Sequence, residues 1–271
     1  MLRIASVNVN GLRGSTIGRV EKGRASFWDW LDAADADVIC LQEVRCPDEL
    51  VPEHIGEGYH YVHDEAEAKG RAGVAIVSKA PFLDARHVDH PDFVGKGRWI
   101  EADLAVGDGE VLTVISAYAH TGNEESPEKM AEKLAWFAAA EERLEELREE
   151  RSYVLLTGDL NIAHTEADIK NWKGNLTRAG FLPEERAIFD RWFADLGWVD
   201  VLRAKHPDQD GPYSWWSYRG QAFDTNAGWR IDYQIATPQL AATATSCFVD
   251  RHPSYEERWS DHAPVVVDYD L

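Results

Sequence analysis

Long apolar runs are missing from this 271-residue chain. No stretch approaches the roughly 18 consecutive apolar residues of a membrane span, which excludes an integral helical membrane protein and predicts no membrane partner. Cysteine is scarce. Cys40, Cys46 and Cys247 are odd in number and lack zinc-type spacing. They read as reduced structural thiols in a reducing compartment rather than as a disulfide framework. The start, MLRIASVNVNG, lacks the basic segment, apolar core and small-residue cleavage site of a secretory signal, so a cytoplasmic protein is expected. Paired histidines of the HExxH kind are absent too, which disfavours soft-metal chemistry.

Positive charge is in short supply. Lys and Arg number 28 against 48 Asp and Glu, a formal charge of −20. That argues against a generic nucleic-acid binder, because phosphate binding needs lysine and arginine. A local basic patch beside an acidic site stays open, since salt confines surface electrostatics to roughly 8–10 Å. Most of the acid is expected to be solvated surface serving solubility. Apolar residues are plentiful at 44%, enough for a large core, and one catalytic domain over 1–271 is expected.

Several segments read clearly as secondary structure. Leu2 to Asn8, Asp37 to Gln42, Gly73 to Ser78, Arg98 to Leu104, Val111 to Tyr118, Tyr153 to Thr157, Ile231 to Ala236 and Ala263 to Tyr269 are strand-like, with Gly107 and Gly109 turning one hairpin. Arg24 to Ala34, Ser126 to Glu150 and Pro183 to Leu196 have helical periodicity or helix start signals. The charged run EERLEELREER is expected to be a solvated helix face. Thr165 to Gly180 is a long polar connection, of a length that is functional or disordered in most compact domains. The mixture lacks a regular βαβα rhythm. It predicts a four-layer α/β sandwich, two packed mixed β-sheets flanked by helices.

The chemistry-bearing residues fall at strand ends. In YVLLTGDLNIAH, Gly158 is read as breaking the strand and placing Asp159 and Asn161 just beyond its C-terminal end, although both also suit an Asx turn. Asn8, Glu43, Tyr118, Asp232 and the pair Asp261-His262 lie at the ends of other strands. If those ends converge, they form an oxygen-rich cluster suited to Mg²⁺ and to waters or phosphate.

The motifs VNVNGLRG, LQEVR, TGDLNIAHTEADIKNWKGN, GFLPEER, SWWSYR, GWRIDY and SDHAPV resemble, in that order, those of the exonuclease III family of abasic-site endonucleases. GDLN and SDH occur across a wider superfamily that includes phosphatases and secreted nucleases, whereas GFLPEER and DIKNWKGN narrow the resemblance to the DNA-repair branch. The resemblance implies a phosphodiesterase dependent on Mg²⁺, or on Mn²⁺, that cleaves duplex DNA 5′ of abasic sites to leave a 3′-hydroxyl and acts at 3′ ends as a 3′ to 5′ exonuclease and 3′-phosphatase; a monomer is expected. It implies Glu43 as principal metal carboxylate with Asn8 and Asp261, Asp159 and Asn161 as the residues handling water and phosphate, and His262 paired with Asp232. Tyr118 is implied as a phosphate contact, although the following Ala119-His120-Thr121-Gly122 departs from the family pattern. Trp215, Trp229 and Ile231 are implied as the pocket for an extruded abasic sugar, and Lys170, Asn171, Lys173 and Arg219 as DNA contacts. Trp216 and Tyr218 are read as core.

Two rival readings remain at this point. One is a phosphomonoesterase or phospholipid-headgroup hydrolase, which the −20 charge favours. The other is a catalytically silent nucleic-acid-binding relative, against which Glu43, Asp159, Asp232 and His262 are all present.

Overall fold

The computed structural model describes the backbone of residues 1–271 and the side chains of all but Asp108. In chain order its strands are β1 (Leu2–Asn8), β2 (Val38–Gln42), β3 (His60–Asp64), β4 (Val74–Ser78), β5 (Asp84–Arg86), β6 (Trp99–Ala105), β7 (Val111–Tyr118), β8 (Tyr153–Asp159), β9 (Val199–Asp200), β10 (Asp232–Ala236), β11 (Ala244–Val249) and β12 (Val265–Tyr269). They form two six-stranded sheets, β11-β12-β1-β2-β4-β3 and β5-β6-β7-β8-β10-β9. A parallel pair lies at the middle of each, β1 with β2 and β7 with β8, and the neighbours flanking those pairs are antiparallel.

Side chains alternate between two cores, as the two-residue strand period requires. Ile4 and Leu155 face the core between the sheets, whereas Ala5 and Val7, or Val154 and Leu156, face outward. Each outward face is covered. Phe27 and Leu31 of the helix Phe27–Ala34, with Trp259, close the first sheet. Trp136, Phe137 and Leu144 of the helix Pro127–Glu150, with Phe189 and Trp192, close the second. Burying a side chain such as Phe137 contributes about 1.5–3 kcal/mol. The result is the expected four-layer α/β sandwich.

Between the sheets, polar clamps fix their relative position. Gln234 Nε2 donates across the gap to Ile4 O and Val265 O, both at 2.9 Å, and Tyr269 donates to Gln234 Oε1 at 3.0 Å. Satisfied buried polar groups of this kind specify one packing of the sheets.

Local chemistry adjusts two expected helix boundaries and orders the 165–180 connection. The first long helix starts at Phe27 rather than Arg24, because Ser26 caps it: Ser26 N donates to Asp29 Oδ2 at 2.7 Å and Asp29 N to Ser26 Oγ at 3.4 Å. Pro183 opens a helix that ends at Asp190 and widens into a π-turn over Arg191–Asp195. The 165–180 connection is ordered around the buried Asp168, which accepts from Thr165 N at 2.8 Å and pairs with Arg203 and the fully buried Arg230. Against the penalty of burial, those two guanidiniums hold the Asp168 carboxyl well below the usual range. Among the described residues no helix is long and apolar enough to cross a membrane.

Candidate active site

The two parallel strand pairs point the same way, so their C-terminal ends meet. β1 delivers Asn8, β2 is followed at once by Glu43, β7 ends on Tyr118 and β8 on Asp159. The antiparallel neighbours supply the rest: β10 begins at Asp232, in register with Asp159, and the approach to β12 carries Asp261 and His262. Gly158 does not break β8, contrary to the expectation from sequence. It stays in the strand at φ +144°, and Asp159 is the last strand residue, opposite Tyr118 on one side and Asp232 on the other.

Asn8 Nδ2 sits 3.0 Å from both Glu43 Oε1 and Asp159 Oδ2, bracketing the two carboxylates, while Asn8 Oδ1 accepts from Asn10 N at 3.0 Å. Asn161 N donates to Asp159 Oδ1 at 3.0 Å and its Nδ2 to Ala119 O at 3.0 Å. His262 lies between two acids, with Nδ1 2.8 Å from Asp232 Oδ2 and Nε2 3.7 Å from Asp159 Oδ2. Asp232 Oδ2 is fixed in turn by Ser214 Oγ at 2.6 Å. Asp261 accepts from Asn10 Nδ2 at 2.7 Å and Trp215 Nε1 at 3.1 Å, and Arg45 pairs with Glu43.

Electrostatics follow from this crowding. Burial, and next the Asp232 charge, push the Asp159 carboxyl up to about 7 against the pull of His262 and its hydrogen bonds. Burial works against a charged His262, yet the carboxylates of Asp232, Asp159 and Asp261 outweigh it and raise the imidazole to about 9. Burial, with Asp159 nearby, pushes the Tyr118 phenol up to about 12, so it remains a hydrogen-bond donor; Arg98 stacks 4.6 Å over its ring.

One ligand atom each from Glu43, Asp159 and His262 fall within 4.8 Å of one another. His262 is engaged by Asp232 at Nδ1 and faces Asp159 at Nε2, so the carboxylates of Glu43 and Asp159 supply the oxygen donors of this group. Hard oxygen donors, with acids outnumbering the cations that touch them, fit a divalent cation such as Mg²⁺. Asn8 turns its amide nitrogen, not its oxygen, to the carboxylates.

A cavity of about 280 Å³ opens on these groups, with Glu43, Tyr118, Asp159, Asn161, Asp261 and His262 on one side and Trp215, Trp229 and Ile231 on the other. Trp215 and Trp229 meet edge to face at 6.0 Å. Lys170, Asn171, Lys173 and Arg219 are not brought into it: all four are exposed, Lys173 lying 5.2 Å over Trp172. Tyr218 departs from the core placement expected of it. It is 50% exposed, with Arg258 stacked at 4.7 Å on its ring, and is not core; Trp216 is fully buried. Sequence reasoning missed Asn10, Arg45 and Ser214, which lie inside the quoted motifs, and Thr121 and Gly180, which line the cavity from loops.

The fold and site together define a hydrolase that gathers carboxylates and a charged imidazole at paired strand ends. The chain belongs to the Endonuclease/Exonuclease/phosphatase family, which it matches over residues 5–262. It is 36% identical over 270 residues to an exodeoxyribonuclease of Bacillus subtilis, covering 97% of this chain and 98% of that one. Among solved structures it is similar to an AP endonuclease from Archaeoglobus fulgidus, with a TM-score of 0.85 and 31% identity, and to a 3′ phosphatase from Neisseria bound to a product DNA hairpin, with a TM-score of 0.84 and 30% identity. Both likenesses cover 100% of each chain.

Proposed function

We propose that the protein is a DNA-repair nuclease of the exodeoxyribonuclease III type, hydrolysing the phosphodiester 5′ of an abasic site to leave a 3′-hydroxyl, with 3′ to 5′ exonuclease and 3′-phosphatase activity. The observation that carries this reading is the cleft itself, where Asp159 stands between Asn8 and His262 opposite the Trp215, Trp229 and Ile231 wall. Residues 1–271 act as one catalytic unit and as a monomer in this reading.

Asp159 orients a water and takes its proton as the water oxygen bonds to phosphorus. The P–O3′ bond breaks, and the leaving oxygen is protonated from solvent to the 3′-hydroxyl. Asn161 holds the water or a phosphate oxygen. His262, kept cationic by Asp232, and the Tyr118 phenol stabilise charge developing on the phosphoryl oxygens. A bound Mg²⁺, or Mn²⁺, supplies Lewis-acid stabilisation of that charge. Glu43 would be its principal ligand, with Asn8 and Asp261 nearby, which leaves Asp159 to take the proton.

A narrow apolar wall selects the missing base by excluding intact ones, and extrusion costs least where there is no base to unstack. Lys170, Asn171, Lys173 and Arg219 are the proposed local contacts that let an acidic protein hold DNA. The deciding experiment is incubation of an end-labelled abasic duplex with Mg²⁺ and with chelator. Incision 5′ of the site with Mg²⁺ and none with chelator are expected; no incision under any divalent metal would overturn the reading.

Opening the wall changes choice more than chemistry. Trp229→Ala is expected to reduce the preference in kcat/KM for an abasic site over an intact nucleotide by about 10- to 100-fold, the scale on which an apolar pocket discriminates. An unchanged ratio would remove Trp229 from the selective pocket.

A further inference from the structure

Behind the reacting groups lies a buried ion pair. Lys133 is on the helix Pro127–Glu150 and Glu185 in the first turn of the helix Pro183–Asp190; both side chains are 0% exposed, and Nζ is 2.5 Å from Glu185 Oε1. The three ammonium protons each have a partner. Besides Glu185, Lys133 Nζ donates to Asn161 O at 2.8 Å and Thr121 O at 3.1 Å. The second Glu185 oxygen accepts from Gly180 N at 2.7 Å and Leu182 N at 2.9 Å.

Three of these backbone partners, Thr121, Asn161 and Gly180, line the cleft. The pair thus grips the loops after β7 and β8 and the turn before Pro183 from the inside. Packing alone does not call for it. Phe137 and Phe189, one helical turn on from Lys133 and Glu185, are buried apolar side chains, and apolar replacement of a buried pair is often neutral or stabilising.

Asn161 is the residue that needs such a grip. It sits at φ +53°, a left-handed conformation uncommon outside glycine. Its backbone N and side-chain Nδ2 are held by Asp159 and Ala119, and its carbonyl by Lys133. A charged donor makes the stronger kind of hydrogen bond, and releasing it frees the 161–162 peptide to rotate. Gly180 adds a second constraint: a Cβ there would lie 3.1 Å from Asn161 O and 3.0 Å from the Trp229 ring, so the turn packs closely on both.

We propose that Lys133 and Glu185 are positioning residues that set Asn161 and the Thr121–Gly180 rim of the cleft, so that the ion pair acts on turnover through Asn161. The kinetic consequence rests on the nuclease reading above; the structural one does not.

The test uses the full chain with K133M and E185Q combined. Methionine follows the lysine stem and glutamine keeps an acceptor for Gly180 N and Leu182 N. On the abasic duplex, kcat is expected to fall about 10- to 100-fold with KM changed less than about 3-fold, the scale of a misplaced catalytic group. In an Asn161→Ala background the same pair of substitutions is expected to lower kcat by less than about 3-fold, because the residue it acts through is gone. Losses that multiply in that background, or an unchanged kcat in the folded variant, overturn the proposal. Should K133M/E185Q fail to fold, Glu185→Asp, which keeps the charge and shortens the reach, enters the same cycle. A crystal structure of the folded variant is expected to show Asn161 out of the left-handed region with its bond to Ala119 O lost; an unmoved Asn161 overturns the proposal even if the unsubstituted chain proves inactive on DNA, a result that would sink only the nuclease reading.

Discussion

Asp159→Asn is expected to lower kcat for abasic-duplex incision by about 10³-fold, within the range for loss of a general base, while changing stability by less than about 1 kcal/mol, because relief of a buried charge offsets the mismatched amide contacts. The two halves of that expectation have one source. Burial, and next the Asp232 charge, push the Asp159 carboxyl up to about 7, so removing its charge relieves that penalty in the folded state. Function cannot survive the same change. Asp159 Oδ1 accepts from Asn161 N and Oδ2 from Asn8 Nδ2, so an amide in either orientation sets one N–H against another. The charge facing His262 at 3.7 Å is lost as well. His262→Asn should match it in activity and differ in stability. It removes the cation between Asp232 and Asp159 and leaves their charges unpaired, a loss on the order of 3 kcal/mol. Kinetics and thermal melting of both variants check this: comparable turnover in Asp159→Asn would remove it as the base, and equal melting temperatures would refute the account of the charges.

The strands legible in the sequence and those that were not divide by position. The eight read from apolar runs are the interior strands of the two sheets, buried on both faces. Those missed, β3, β5, β9 and β11, are the four sheet edges. Asp84–Arg86 and His60–Asp64 carry charge where an edge meets water, so no apolar run marks them. The site was legible for a related reason. Buried strands that stop on a polar residue are conspicuous, and the parallel pairs bring those stops together. Lys133 and Glu185 carried no such mark, because a lysine in a helix rich in charge reads as surface until the loops folded over it are known. Ser214 and Asn10 likewise work through partners more than 15 residues away in the chain. Tyr218 failed in the opposite direction: an aromatic among tryptophans reads as core, but its ring is covered on one face by Arg258 and stays half open.

Gly158→Ala is expected to destabilise the fold by about 4 kcal/mol or more, or to prevent folding, which is the scale of a severe steric or backbone conflict. A Cβ on Gly158 would lie 1.9 Å from Ala117 O, and its φ of +144° is closed to other residues. The conflict falls between β7 and β8 at the register Ala117 to Gly158, one residue before Tyr118 to Asp159. Relief means parting the strands where both site residues are set. Gly197→Ala is the control. It also has positive φ, +76°, but open space around the added methyl, and should cost about 1 kcal/mol. Denaturant unfolding of the two variants separates crowding from backbone preference: similar losses would mean that strand approach is not what Gly158 serves. A large difference would make this glycine the reason β8 can run on through Asp159. The carboxylate is then held by a continuous ladder, with Ala119 N donating to Asp159 O at 2.9 Å, and does not depend on the shape of a turn.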